Sequence, residues 1–145
     1  MPLAEQILKI EEGFRDRPYN CSEGYPSIGF GRVIGKKGDQ LPNITVTLQD
    51  EIQHLRRRIA TIDRLIPEII TNLDEVRAAV IVSMAYQMGV VGLRKFRFFL
   101  RSVKEENWQL ASEHMLDSRW AKQTPARAER HAEMMRTGKL LKYYD

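Results

Sequence analysis

A stripe of apolar residues in the middle of the chain constrains the fold more than any other feature. Apolar side chains recur at alternating steps of four and three from Leu48 to Ile66, and Pro67 follows directly. Such steps place side chains on one face of an α-helix, and proline does not continue a helix. Thr47 precedes the stripe as a candidate N-cap. The pattern predicts a long amphipathic helix over about 48–66, whose apolar face other segments must cover.

The segments before this helix differ from it in apolar spacing and glycine content. Residues 3–13 have helical apolar spacing that stops at Gly13. Between residues 18 and 42, five glycines interrupt short β-favouring pieces, SIGF and RVI, and ITV follows at 44–46. Glycine supplies the positive φ that tight turns require, so this region predicts a hairpin or small sheet.

Further helices are predicted after the stripe. They are a helix opened by a capping Asn72 with Glu75 and closed by Gly89, two helices around 96–103 and 108–116, and one from Thr124-Pro125 to about Arg136. A chain of 145 residues, 43% of them apolar, is large enough for one core but small for two independent domains. The fold class is therefore α+β with helix dominant.

Composition excludes several kinds of site. The single cysteine excludes an internal disulfide, and three scattered histidines predict no metal site. We find no phosphate loop or dinucleotide fingerprint, so no cofactor is expected. His54 and His131 lie in polar helical stretches and are expected at the surface. The run RRR at 56–58 would fan around a helix, which favours a solvated surface over nucleic-acid binding.

Compartment and partners follow from equally simple features. No apolar run approaches the length needed to span a bilayer, so no stable membrane insertion is expected. The N-terminus carries acids where a secretion signal would be basic, which predicts cytoplasmic synthesis. The net charge of +4 either aids solubility or attracts anionic polymers, and charge alone leaves both readings open.

The segment EEGFRDRPYNCSEGYPSIGFGR at 11–32 holds the chemistry-bearing residues. Glu12 stands at the end of the first predicted helix, followed by Cys21 and then by Ser27 among glycines. Taken singly, they fit a solvated charge, a small buried thiol and a turn hydroxyl. Together they place an acid, a thiol and a hydroxyl around one turn.

This segment, with YQMG at 86–89, SRWAKQTPARAER at 118–130 and RTG at 136–138, resembles the phage-type lysozymes of glycoside hydrolase family 24. The resemblance spans nearly the whole chain, and its motifs agree in order and spacing. It implies one lysozyme domain with a saccharide cleft between two lobes. The β-containing lobe would cover about 14–47, the connecting helix 48–66, and the helical lobe 67–145 together with 1–13.

The resemblance also implies roles for particular residues. Glu12 would be the general acid of glycosidic cleavage, oriented by Arg127, with Cys21 and Ser27 positioning and activating water on the opposite face. Cysteine stands where the best-known member has aspartate, and a thiol with an ordinary pKa near ~8.5 is mostly protonated at pH 7. Residues expected to line or border the cleft and bind substrate are Glu23, Tyr25, Tyr86, Gln87, His114 and Gln123. For Tyr86, plain core packing is an equal alternative.

The implied activity is that of a muramidase, which cuts the β-1,4 bond between N-acetylmuramic acid and N-acetylglucosamine in peptidoglycan. The implied context is a monomeric phage endolysin, made in the host cytoplasm and released to the periplasm with the help of a holin. Two other functions stay open. A lytic transglycosylase would use Glu12 alone, and a non-catalytic basic protein would only bind the wall or nucleic acid.

Overall fold

The computed structural model describes all 145 residues and consists mostly of helices, with one small antiparallel sheet. The elements in chain order are α1 (Pro2–Glu12), β1 (Arg15–Asn20), β2 (Pro26–Gly29), β3 (Arg32–Val33), α2 (Leu48–Leu65), α3 (Pro67–Ile70), α4 (Glu75–Arg94), α5 (Arg97–Lys104), α6 (Trp108–Leu116), α7 (Arg119–Gln123), α8 (Pro125–Thr137) and a short 3-10 helix (Lys142–Tyr144). The predicted fold class, α+β with helix dominant, is confirmed.

The long helix α2 forms where the apolar stripe predicted it. The Thr47 side chain accepts a hydrogen bond from the backbone N–H of Asp50 at 3.1 Å, which caps the helix. Leu55, Ile59 and Ile62 of the stripe are buried. Their face packs against α4, so one amphipathic pattern accounts for both the helix and its docking.

Helix α4 is the centre of the helical core. Every residue from 78 to 86 is buried, and α1, α2 and α8 all pack against this helix. By length and composition α4 could cross a membrane, contrary to the expectation that no run approaches that length. Of its most apolar window, 56% is buried inside the protein, as in the core helix of a folded domain.

The sheet has the order β1-β2-β3, and its register decides which side chains share a face. Tyr19 on β1 pairs with Ser27 on β2, which in turn pairs with Val33 on β3. Because successive side chains of a strand alternate between faces, Ile28 points to the other side, where it is buried. Phe30 is the one residue between 14 and 47 that belongs to the large apolar core cluster.

One strand expectation is wrong, and one strand was not predicted. The ITV segment at 44–46 is irregular and forms one isolated backbone bond, from the N–H of Val46 to the carbonyl of Asp16. β1, with the sequence RDRPYN, was not expected as a strand. It has little apolar alternation and contains a proline, so its extended form depends on pairing with β2 rather than on its own residues.

Helix boundaries after α2 also differ in detail. The cap of α4 is Asp74, whose side chain accepts from the N–H of Arg77, and not Asn72. Gly89 interrupts α4 with φ 80° and ψ 157°, but helical turns resume and continue to Arg94. Pro125 opens α8 as expected, whereas the preceding threonine makes no side-chain cap. The short helix α7 was not foreseen.

Candidate active site

A cleft of about 900 Å³ lies between the sheet and the helices. The row formed by Tyr19, Ser27 and Val33 lines one wall, and the second half of α4, α7 and the start of α8 line the other. Nine of the ten residues singled out from the sequence line it: Glu12, Cys21, Glu23, Tyr25, Ser27, Tyr86, Gln87, Gln123 and Arg127.

Glu12 is the last residue of α1, where Gly13 turns the chain towards the sheet with φ 66°. Its Oε1 accepts a hydrogen bond from Nη1 of Arg127 at 3.1 Å, and the side chain is 19% exposed. Its Oε2 has no hydrogen-bond partner in the protein and lies against Gly31, 3.1 Å from where a Cβ would stand. One oxygen is therefore held, and the other is available at the cleft wall.

The backbone carbonyl of Tyr25 connects two other candidate residues, Cys21 and Ser27. It accepts the backbone N–H of Cys21 at 2.9 Å and the hydroxyl of Ser27 at 3.1 Å. Because the Ser27 proton is used in this bond, its oxygen can act only as an acceptor towards the cleft. A tight turn between Cys21 and Gly24 holds the thiol half-buried at the cleft.

Gln87 and Tyr86 differ in the hydrogen-bonding groups that they leave free for a ligand. The Gln87 Oε1 accepts from the indole Nε1 of Trp120 at 2.7 Å, so its amide NH₂ is oriented and free to donate. The Tyr86 hydroxyl donates to the buried carbonyl of Phe30 at 2.6 Å, and Arg58 lies 4.8 Å from its ring centroid. Burial, and then the charge of Glu12, raise the pKa of Tyr86 to about 12. Tyr86 thus ties α4 to the sheet.

His114 is not among the residues that line the cleft. It lies on α6, where its ring stacks on Phe98 with 6.1 Å between the ring centroids. Spacing along the chain could not show this, because the position depends on how α5 and α6 pack.

Comparison with protein families identifies the family of this chain. The family model described as phage lysozyme matches residues 9–134, which include Glu12, Cys21, Ser27 and Arg127. The chain belongs to the phage lysozyme family. It is therefore a glycoside hydrolase that degrades peptidoglycan.

The individual relatives have low sequence identity to this lysozyme, but the similarity covers most of its chain. It is 27% identical to probable T4-type lysozyme 1 of Dictyostelium discoideum, over 96% of both chains. It is 29% identical to the pre-baseplate central spike protein Gp5 of Enterobacteria phage T4, over 99% of this chain and 29% of Gp5. It is also 29% identical to peptidoglycan hydrolase gp36 of Pseudomonas phage phiKMV, over 86% of this chain and 14% of gp36.

The cleft of this lysozyme also contains residues that sequence reasoning missed. Tyr19, Lys95 and Phe96 line it. Burial, followed by the charge of Glu12, raises the pKa of Tyr19. A strand period of two places positions 19 and 21 on one face, so Tyr19 could have been found had β1 been recognised. Lys95 and Phe96 lie at the junction of α4 and α5, and no motif or spacing along the chain marked them as cleft residues.

His131 contradicts the expectation of a surface histidine. It is 0% exposed on α8, and its Nε2 lies 2.7 Å from Oγ of Ser83. Burial, with Arg127 as the next cause, lowers the pKa of His131 to about 3, so the ring is neutral. Its neighbours in sequence are polar because α8 exposes its other faces. His54, in contrast, is 40% exposed, as expected.

Proposed function

We propose that this lysozyme is a muramidase that hydrolyses the β-1,4 bond between N-acetylmuramic acid and N-acetylglucosamine, with Glu12 as general acid. The observation that carries the proposal is the asymmetry of the Glu12 carboxyl group. Arg127 holds Oε1, and Oε2 is free at the cleft wall. A proton on Oε2 can pass to the glycosidic oxygen as the bond from that oxygen to the anomeric carbon breaks.

Cys21 and Ser27 supply the water side of the reaction. A water that donates one hydrogen to Oγ of Ser27 would have an oxygen lone pair free for the anomeric carbon, because Tyr25 already takes the serine proton. The thiolate form of Cys21 would accept the second water proton as the new carbon–oxygen bond forms. Attack from the face opposite Glu12 gives inversion of configuration.

Substrate contacts follow from the cleft wall. The oriented amide of Gln87 would donate to a sugar oxygen, and the half-exposed ring of Tyr25 would pack on a pyranose face. Glu23 and Gln123 are exposed at the cleft and would bind substrate polar groups. His114 is left out of the proposed set because it lies against Phe98. Tyr86 would contribute ring edge only, since its hydroxyl is used by Phe30.

We further propose the two-lobed division that the family resemblance implies. The β-containing lobe would span about 14–47, the connecting helix 48–66, and the helical lobe 67–145 with 1–13. The cleft lined from both sides supports this division. The proposed context is a monomeric endolysin without cofactor, made in the host cytoplasm and released to the periplasm with a holin.

Mass spectrometry of digested peptidoglycan tests the activity. Purified peptidoglycan treated with the protein should give muropeptides with one added water and a new reducing end. Glu12→Gln should abolish these products, whereas the control Glu105→Gln, which changes an exposed acid at the end of α5, should not. Anhydro products would instead assign a lytic transglycosylase. No products with retained binding would assign a wall-binding protein.

The single thiol makes the role of Cys21 separately testable. Methyl methanethiosulfonate adds one small group to cysteine, and Cys21 is the only one in the chain. Modification should remove activity, and reduction should restore it. A Cys21→Ser protein exposed to the same reagent is the control, since its residual activity should not change. Full activity of the modified wild type would end the assignment of Cys21 as base.

A further inference from the structure

A chain of buried polar groups runs away from the cleft behind Glu12. It passes from Arg127 through Ser83 on α4 and His131 on α8 to Tyr144 in the C-terminal 3-10 helix. We call these four hydrogen-bonded residues the relay. All four are buried, and Ser83, His131 and Tyr144 are completely inaccessible to solvent. Burying a polar group costs free energy unless it forms hydrogen bonds, so four connected buried polar groups suggest a role beyond packing.

Arg127 depends mainly on Ser83 for its position. The guanidinium makes three hydrogen bonds: Nη1 to Glu12 at 3.1 Å, and Nη2 to the Ser83 carbonyl at 3.3 Å and to the Ser83 hydroxyl at 3.0 Å. Its Nε is buried without an acceptor. Two of the three bonds that orient the partner of Glu12 therefore end on one serine.

Hydrogen-bond counting fixes the state of His131. An arginine can only donate, so Oγ of Ser83 accepts from Arg127 and has one proton left to give. The acceptor within reach is Nε2 of His131, at 2.7 Å. The Tyr144 hydroxyl gives its own proton to Glu11, so its 3.4 Å contact with Nδ1 of His131 uses the ring proton on Nδ1. Nε2 of the neutral ring then lacks a proton and accepts the Ser83 hydroxyl.

At the Tyr144 end of this series of polar groups lies the ion pair of Glu11 and Arg130. The Tyr144 hydroxyl donates to Glu11, and Arg130 binds the same carboxylate with Nε at 2.9 Å and Nη2 at 2.7 Å. The charged groups that face His131 are therefore Glu11 from α1 and Arg127 and Arg130 from α8, with Tyr144 as the titratable phenol. Two cations and one anion around the ring favour its neutral form.

We propose that Ser83 and neutral His131 are positioning residues that hold Arg127, and through it Glu12, in the geometry for proton transfer. His131 fixes the rotamer of the Ser83 hydroxyl, so that its lone pairs face Arg127. The inference rests on the proposed function in that Glu12 is taken as the acid. Neither residue touches substrate, since neither lines the cleft.

Kinetics on soluble glycan chains prepared from peptidoglycan test the relay. Ser83→Ala should lower kcat about 10-fold and leave KM within about 2-fold, because it loosens the acid and not the sugar contacts. Ser112→Ala is the matched control: that serine is also buried, on α6, but donates to the Gln109 carbonyl, outside the relay. Equal kcat for the two variants would overturn the proposal.

Two variants at the histidine separate the hydrogen bond from packing. His131→Gln keeps an acceptor for the Ser83 hydroxyl and should retain most activity, whereas His131→Leu should lose about as much as Ser83→Ala. The double variant Ser83→Ala/His131→Leu should be no slower than either single one, because all remove the same link. Additive losses, or a lower melting temperature with unchanged kcat, would overturn the relay.

An NMR measurement tests the relay independently of catalysis. In ¹⁵N-labelled wild type, His131 should carry its proton on Nδ1 and keep it there from pH 8 to pH 5. Side-chain N–H exchange of Arg127 should be faster in Ser83→Ala than in Ser112→Ala. A proton on Nε2 would overturn the relay. Failure of Glu12→Gln to abolish cleavage would instead overturn the proposed function and leave these NMR results interpretable.

Discussion

The buried histidine makes the stability of this lysozyme depend on pH in a defined direction. Burial first, and the charge of Arg127 next, lower the pKa of His131 to about 3 in the folded protein, against an ordinary value near 6.5. As pH falls below about 6.5, the His131 ring binds a proton in the unfolded chain but stays neutral in the folded protein. Stability is therefore lost on acidification through this window.

The magnitude follows from the two pKa values. Between pH 8 and pH 5 the unfolded state gains about 2 kcal/mol from protonating this one ring. At pH 5 the folded-state value still lies two units lower, so the difference is determined almost entirely by the unfolded-state pKa. Glu11 does not obscure the result. Burial raises its pKa, but hydrogen bonds from Arg130 and Tyr144 outweigh that effect, and its lowered pKa acts only at more acidic pH.

Urea unfolding at pH 8 and pH 5 measures this contribution. The control is His131→Leu, which is expected to be less stable at both pH values but to lack the ionising ring. The loss of unfolding free energy between pH 8 and pH 5 should be about 2 kcal/mol larger for wild type than for the variant. Equal losses in the two proteins would refute both the burial argument and the neutral state of the ring.

Two further predictions compare matched positions. Gly29→Ala should lower the unfolding free energy by about 2–4 kcal/mol, because φ is 64° and a Cβ there would overlap the carboxyl group of Glu51; Gly38→Ala, with φ 87° but open space, should cost only about 1 kcal/mol by urea unfolding. Asp74→Ala should lower the unfolding free energy by about 1 kcal/mol through loss of the α4 cap, and Asn72→Ala by less than about 0.5 kcal/mol; equal thermal shifts would contradict the assignment of the cap.

The helical part of the fold was largely readable from the sequence, and the reason is local. A repeating apolar spacing and a capping hydroxyl act within one or two turns, so α2 begins and ends almost where its own residues dictate. β1 was not readable, because its extended form depends on backbone partners in β2. Asp74 and Asn72 are both acceptable caps, and the path of the chain after α3 selects between them.

The residues of the candidate site also fall into those predicted from sequence motifs and those whose position depends on tertiary packing. Family motifs singled out Glu12, Cys21 and Ser27, and the structure brings all three to one cleft. His114 was placed there by analogy, but it stacks on Phe98 instead. Tyr19 was missed because β1 was not recognised as a strand, and its pairing with Ser27 across the sheet places it in the cleft.

The sequence by itself determined the mostly helical α+β class, the long helix and the order of the lysozyme motifs, because these depend on residues close together in the chain. Only the tertiary structure decided the state of His131 and its connection to Ser83, 48 positions away. Polar neighbours in sequence predicted a surface ring. The packing of α8 on α4 buries the ring and keeps it neutral. The Tyr144 hydroxyl, which donates to Glu11, takes the ring proton at Nδ1 and leaves Nε2 as the acceptor.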